Sequence, residues 1–123
     1  MIVIDYRDKR PIYEQIVERF QTLIVSGGME ADEKLPSVRA LAVELSINPN
    51  TIQRAYAELE REGFIYAVKG RGNFVSGDAG IKKKQQDKML SELGDCVKHC
   101  LRQGISETEI RERVDNIIRE ERL

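Results

Sequence analysis

Residues Leu35 to Val75 read LPSVRALAVELSINPNTIQRAYAELEREGFIYAVKGRGNFV, and this stretch decides the fold. Pro36 disfavours helix at Leu35, and Ser37 is a good N-cap, so a first helix is predicted to start at Ser37. Val38, Leu41, Ala42 and Leu45 recur at i, i+3, i+4 and i+7, which makes one apolar helical face. Ser46 and Ile47 form a turn, with Ile47 directed to the core. Asn48 as N-cap and Pro49 at the first helical position open a second helix. On it Ile52, Ala55, Tyr56 and Leu59 make an apolar stripe. Opposite that stripe lie Asn50, Arg54, Ala57 and Arg61, with Gln53 beside them and Thr51 on the flank. Phe64 to Val68 is rich in strand formers, and Asn73 to Val75 is a short return strand. The turn between them, Lys69-Gly70-Arg71-Gly72, carries two positive charges on a flexible backbone.

Two short capped helices, a tight turn and a hairpin make a winged helix-turn-helix. A helix that enters the major groove needs hydrogen-bonding side chains on its N-terminal half, where it meets the base edges. Arginine can be bidentate to guanine, and asparagine or glutamine to adenine. On an isolated helix, Asn50, Gln53 and Arg54 would read as a solvated face. The capped helix before them and the hairpin after them favour base reading. An arginine at a hairpin tip, here Arg71, suits the negative potential of a narrow minor groove.

In these residues the chain resembles the GntR family of bacterial transcription regulators. The matching pattern is Leu35-Pro36-Ser37-x-Arg39-x-Leu41-Ala42, Asn50-Thr51, Ala55-Tyr56-x-x-Leu59, Glu62-Gly63-x-Ile65 and Gly70-Arg71-Gly72-x-Phe74-Val75. The resemblance implies DNA contacts by Arg39, Asn50, Thr51, the position of Gln53 and the wing at Gly72. Pro49 and Gln53 stand where many members carry arginine, and Asn48-Pro49-Asn50-Thr51 looks like the small YtrA-like subfamily. The full expected interface has Asn50, Thr51, Gln53 and Arg54 on bases and Ser37, Arg39 and Lys69 on phosphates. Arg71 and Gly72 sit at the minor groove. By the same resemblance the target is an operon such as that of an ABC transporter. At this length the chain has no room for the effector or aminotransferase-like domains of larger relatives.

The chain has 123 residues, a net charge of −1, 33% charged and 41% hydrophobic residues. It contains no apolar run of membrane-spanning length and no signal-peptide pattern, so a cytoplasmic location is expected. Residues 1–78 carry ten Lys/Arg against twelve Asp/Glu. Such a balance is unlike a non-specific nucleic-acid coat. Binding must rest on local placement of Arg39, Arg54, Lys69 and Arg71, with marked salt sensitivity.

Outside the central stretch, Met1 to Tyr6 reads as an extended arm or short strand. A helix then runs from Pro11, placed at its first position, to about Ser26 and stops at Gly27-Gly28. Its buried face is Ile12, Ile16, Phe20, Leu23 and Ile24, with Tyr13 and Val17 beside it. Met29 to Lys34 reads as a charged loop. The winged helix-turn-helix is assigned to residues 1–77 and a helical dimerisation segment to 78–123. In that segment a helix is expected over 87–103, with Met89, Leu90, Leu93, Val97, Cys100 and Leu101 near one face and Gly94 interrupting it. Asp78 or Gly80 marks the entry to the helical segment, and Lys82-Lys83-Lys84 reads as a solvated helix start in preference to a phosphate contact. Ser106 and Glu109 form a capping box for a last helix with an Ile110, Val114, Ile117, Ile118 stripe up to Leu123. Two such helices bury their stripes poorly alone, which favours pairing with the same segment of a second chain.

Cys96, His99 and Cys100 are near one another on that helix, but a metal site normally needs a fourth ligand or an open position, and zinc signatures usually carry more Cys or His elsewhere. Packing of the cysteines in a dimer core is the preferred reading, without metal, cofactor or disulfide. No glycine-rich phosphate loop and no nucleophile with an evident base argue for catalysis. The expected function is a homodimeric regulator, a repressor by preference, on a palindromic double-stranded operator. The alternatives are a protein-interaction module on a winged-helix scaffold and a repressor switched by metal or redox at Cys96, His99 and Cys100. Nothing in the residues specifies a small-molecule effector.

Overall fold

A computed structural model describes residues 2–122. The elements are α1 (Ile12–Val25), α2 (Val38–Leu45), α3 (Pro49–Arg61), β1 (Ile65–Val68), β2 (Gly72–Val75), α4 (Gly80–Arg102) and α5 (Glu107–Arg122). They fall into two compact units, one running through Ile81 and the other beginning at Lys82. The architecture is mostly helical with a two-stranded wing, as the sequence indicates.

The first unit is built on α3. Its stripe of Ile52, Ala55, Tyr56 and Leu59 is buried against Ile16 and Phe20 of α1, Leu41 and Ala42 of α2, and Phe64, Ile65 and Val75 of the wing. Tyr56 does two things there. Its ring meets Phe20 edge to face at 5.6 Å, and its hydroxyl donates to the Pro36 carbonyl at 2.7 Å. That bond ties the entry of α2 to α3.

The predicted caps form. The Ser37 hydroxyl accepts from the Ala40 N–H at 3.0 Å, and the Asn48 side chain accepts from the Asn50 N–H at 2.8 Å. The turn between α2 and α3 uses Ser46 in the left-handed region, at φ 54° and ψ 46°. The Ile47 N–H closes it on the Ala42 carbonyl at 3.0 Å. Ile47 packs half-buried against the core.

Several expectations need correction. Pro11 is the N-cap of α1 and lies just before its first position. Ile2 to Asp5 form no strand, although Ile2 is buried; Met1 lies outside the described residues. The buried Gln15 takes the place of a partner strand. It accepts from the Asp5 N–H at 3.0 Å and donates to the Asp5 carbonyl at 3.1 Å. A polar residue on a buried face breaks the apolar pattern, so periodicity does not find it. The segment before α2 is more than a charged loop. Asp32 and Leu35 donate to the Val75 and Asn73 carbonyls, and Val75 donates back to Glu33, all at 2.8–2.9 Å. It therefore lines the outer edge of β2, while β1 pairs antiparallel with the other edge, Ile65 opposite Val75 and Val68 opposite Gly72. Met29 and Leu35 are buried at its ends.

α4 begins at Gly80, one of the two entry points that the sequence offers, and runs unbroken through Gly94, where the sequence suggests an interruption. Gly94 has an ordinary helical setting with open space where a Cβ would stand. Ser106 caps α5 by accepting from the Glu109 N–H at 3.1 Å. The apolar stripes find little cover. No described residue of α5 is buried, and on α4 only Ile81, which belongs to the first unit, is. Leu90 is 64% exposed, Leu93 51% and Ile117 51%. Leu123 lies outside the described residues.

Replacing Tyr56 with Phe should cost about 1 kcal/mol, because the Pro36 carbonyl loses its donor. Burial holds the Tyr56 hydroxyl well above its ordinary pKa of 10.0. The unfolded chain therefore ionises this group first, and the stability it contributes below that pH is lost as pH rises above it. Urea unfolding at neutral and alkaline pH should show the variant weaker at pH 7 and less sensitive to alkali than the parent.

Candidate nucleic-acid interface

The polar face of α3 stands clear of the core. Asn50, Gln53 and Arg54 are exposed, and Thr51 is half-buried on the flank. Arg39 is exposed on the first turn of α2. The Ser37 oxygen is already used as a cap, so only its O–H proton is left to donate to a phosphate. Lys69, Arg71 and Gly72 lie at the wing tip, where the Arg71 N–H closes the turn on the Val68 carbonyl at 2.9 Å. The sequence-derived residues thus sit on three elements of one compact unit: the start of α2, the first half of α3, and the wing.

The arginines differ in their surroundings. Arg61 shares the polar side of α3 but pairs with Glu58 and lies 3.9 Å from Glu62. The Glu58 carboxylate holds its guanidinium more firmly protonated than usual. Its charge is paired within the chain. Arg54 instead stacks on an aromatic ring, with its guanidinium carbon 3.8 Å from the centre of Tyr13 on α1. Its charge is not neutralised by this contact. Both α2 and α3 lack an acidic residue in the first turn, whereas α1 and α5 carry Glu14 and Glu107 there. The positive ends of the two helix-turn-helix dipoles are therefore left for an anion. A slightly acidic unit can meet DNA through this local arrangement.

The wing is braced from behind. Tyr66 and Phe74 stack at 5.7 Å, and the Tyr66 hydroxyl donates to Asp32 at 2.6 Å. Gly70 and Gly72 have φ of +78° and +121°, backbone states that L side chains rarely adopt. A Cβ at Gly72 would stand 3.1 Å from the Lys34 side chain. Two cations of this unit, Lys34 and Arg71, therefore flank Gly72, one in space and one in sequence.

The family model for bacterial regulatory proteins of the gntR family matches residues 12–75. The chain belongs to the GntR family. It is 51% identical over 79 residues to the HTH-type transcriptional repressor YtrA of Bacillus subtilis, covering 64% of this chain and 61% of that protein. Among solved structures it is similar to a GntR family regulator from Listeria monocytogenes, with TM-score 0.75 and 40% identity. That match covers 89% of this chain and 96% of the other. It is also similar to the DNA-binding domain of AraR solved in complex with operator ORE1, with TM-score 0.53 and 28% identity. There the coverage is 62% of this chain and 93% of the other. This GntR-family chain is a DNA-binding transcription regulator.

Sequence reasoning missed two residues at this face, Lys34 and Tyr13. Lys34 sits in a segment without a periodic pattern, and its bridge to Phe74 and approach to Gly72 place it beside the wing. Tyr13 read as a flanking core residue of α1, and nothing in spacing links it to Arg54. Cys96 and Cys100 are free thiols. Burial and the Cys96 thiol push the Cys100 pKa up. Among the described residues no group of three His, Cys, Asp or Glu side chains is placed to hold a metal ion. Among the described residues no helix is long and apolar enough to cross a membrane.

Gly72→Ala in this GntR-family regulator should cost roughly 1–3 kcal/mol through backbone strain. Lys34 is flexible and can yield, so the strain falls on the wing backbone. Thermal unfolding should show a lowered midpoint, and DNA affinity should fall beyond what the unfolded fraction explains.

Proposed function

We propose that this regulator is a repressor that binds a palindromic operator as a homodimer. The observation that carries the reading is the exposed polar face of α3, set beside an arginine-tipped wing. In this reading Asn50, Thr51, Gln53 and Arg54 meet base edges. Ser37, Arg39 and Lys69 meet phosphates, and Arg71 with the close backbone at Gly72 enters the minor groove. Repression follows if the bound dimer excludes polymerase from a promoter, and the similarity to the B. subtilis repressor YtrA supports it.

The helical tail supports the dimer. Leu93, Leu101, Ile117 and Ile118 are each about half exposed in the single chain. Stripes of this kind on helices without a core of their own are stable when a second copy covers them. A two-fold axis through such a pair presents two α3 helices to half-sites about one helical turn apart. Residues 78–123 are then the dimerisation segment and residues 1–77 the reader.

Mobility shift on the intergenic DNA upstream of its own gene, at two salt concentrations with competitor DNA, tests the reader. A discrete complex that survives competitor is expected. Arg54→Ala should weaken it and relax preference at one base pair by about 1–3 kcal/mol. Unchanged affinity and preference in Arg54→Ala would remove α3 from base reading. Sedimentation tests the dimer. Ile117→Glu is near neutral for a surface position of a lone chain, so its conversion of a dimer to monomer is the expected result. A dimer unaffected by it would place the interface elsewhere.

A further inference from the structure

The stacking of Arg54 on Tyr13 links the reading helix to a helix outside the helix-turn-helix. The guanidinium carbon lies 3.8 Å from the ring centre, well inside the range of a cation–π contact. Tyr13 is half-buried at the start of α1 and packs against the core, so its ring is held by its surroundings. Among the described residues its hydroxyl reaches Glu14 alone, at 3.5 Å. The ring, and not the hydroxyl, is the part that meets Arg54. Arginine has many rotamers, and an exposed one on a helix samples them freely. A ring against one face of the guanidinium selects among them and leaves the N–H donors at its edge, where a bidentate contact is made. Arg61 shows the other way to fix an arginine on this helix, by carboxylates that consume its charge. Tyr13 orients Arg54 without that loss.

We infer that Tyr13 is a positioning residue for DNA readout: its ring sets the Arg54 guanidinium, and α1 thereby takes part in sequence preference. The inference rests on α3 being the DNA-reading helix. Removal of the ring leaves the Arg54 charge in place but frees its direction. Discrimination at the base pair that Arg54 reads is therefore lost more than general affinity.

The test begins with selection of binding sites from a random duplex library by the full wild-type chain. Affinities for the selected site and its single-base-pair variants are then measured for wild type, Tyr13→Phe, Tyr13→Leu, Arg54→Ala and the Tyr13→Leu/Arg54→Ala double variant. Tyr13→Leu should reduce discrimination about fivefold, at the same base pair that Arg54→Ala flattens and at no other. The double variant should be no weaker than Arg54→Ala, and Tyr13→Phe should restore the wild-type pattern. If circular dichroism shows Tyr13→Leu unfolded, Tyr13→Met takes its place, since methionine fills irregular apolar space without an aromatic face. A uniform loss across all base pairs, additivity with Arg54→Ala, or a Tyr13→Phe variant as defective as Tyr13→Leu overturns the inference. Wild-type discrimination in Tyr13→Leu, with Arg54→Ala defective, overturns it alone and leaves the reading of α3 intact. A wild-type chain that selects no site, or one indifferent to Arg54→Ala, sinks the reading of α3 and the inference with it.

Discussion

The burial of one tyrosine constrains the whole DNA-binding unit. Tyr56 is 2% exposed, at the centre of α3. A phenol in that position needs a partner for its hydroxyl, and the Pro36 carbonyl supplies it. The carbonyl belongs to the Leu-Pro-Ser entry of α2. The ring meanwhile rests edge to face on Phe20 of α1. The orientation of α3 is thus referred to both other helices of the unit. Rotation of α3 about its axis would break the hydrogen bond and the ring contact together. The polar side of α3 is fixed because its apolar side has only one way to be satisfied.

Local charge matters more than the sum. The unit has no excess of basic residues, yet its cations differ in availability. Arg10 pairs with Asp8 and Glu18, and Arg61 with Glu58. Both are held on the protein by carboxylates. Arg39, Lys69 and Arg71 are exposed on the start of α2 and the wing, and Arg54 is held by a ring that keeps its charge intact. The helix dipoles add to this set, because α2 and α3 begin without acidic side chains. A field built from so few groups falls off within a Debye length, which suits recognition at contact better than non-specific coating.

The two units solve burial in different ways. The first closes a core of residues drawn from every element up to Ile81. The second has two long helices and leaves their apolar stripes in water. Ser106 caps α5, and both helices are rich in charge, so they form with little apolar burial. That difference separates a unit that closes its own core from one that leaves its apolar stripes exposed.

The caps at Ser37 and Asn48, the stripe of α3, the hairpin and the last capped helix were all legible in the sequence, because each depends on neighbours a few residues away. Local chemistry of that kind also identified the face with Asn50, Gln53 and Arg54, while the family was legible as a resemblance in the motif residues of Leu35 to Val75. Contacts between distant segments were not legible. Gln15 standing in for a strand partner of Asp5, residues 32 to 35 lining β2, Lys34 beside Gly72 and Tyr13 under Arg54 all join segments whose separation leaves no periodic trace. The unbroken course of α4 through Gly94 escaped for a related reason, since a propensity cost of about 1 kcal/mol for one glycine is outweighed by the length of helix around it. Sequence by itself determined which elements exist and which face of α3 is polar. Only the tertiary structure decided which charges stay available and which side chains hold them, because pairing and stacking depend on what folding brings within a few ångströms.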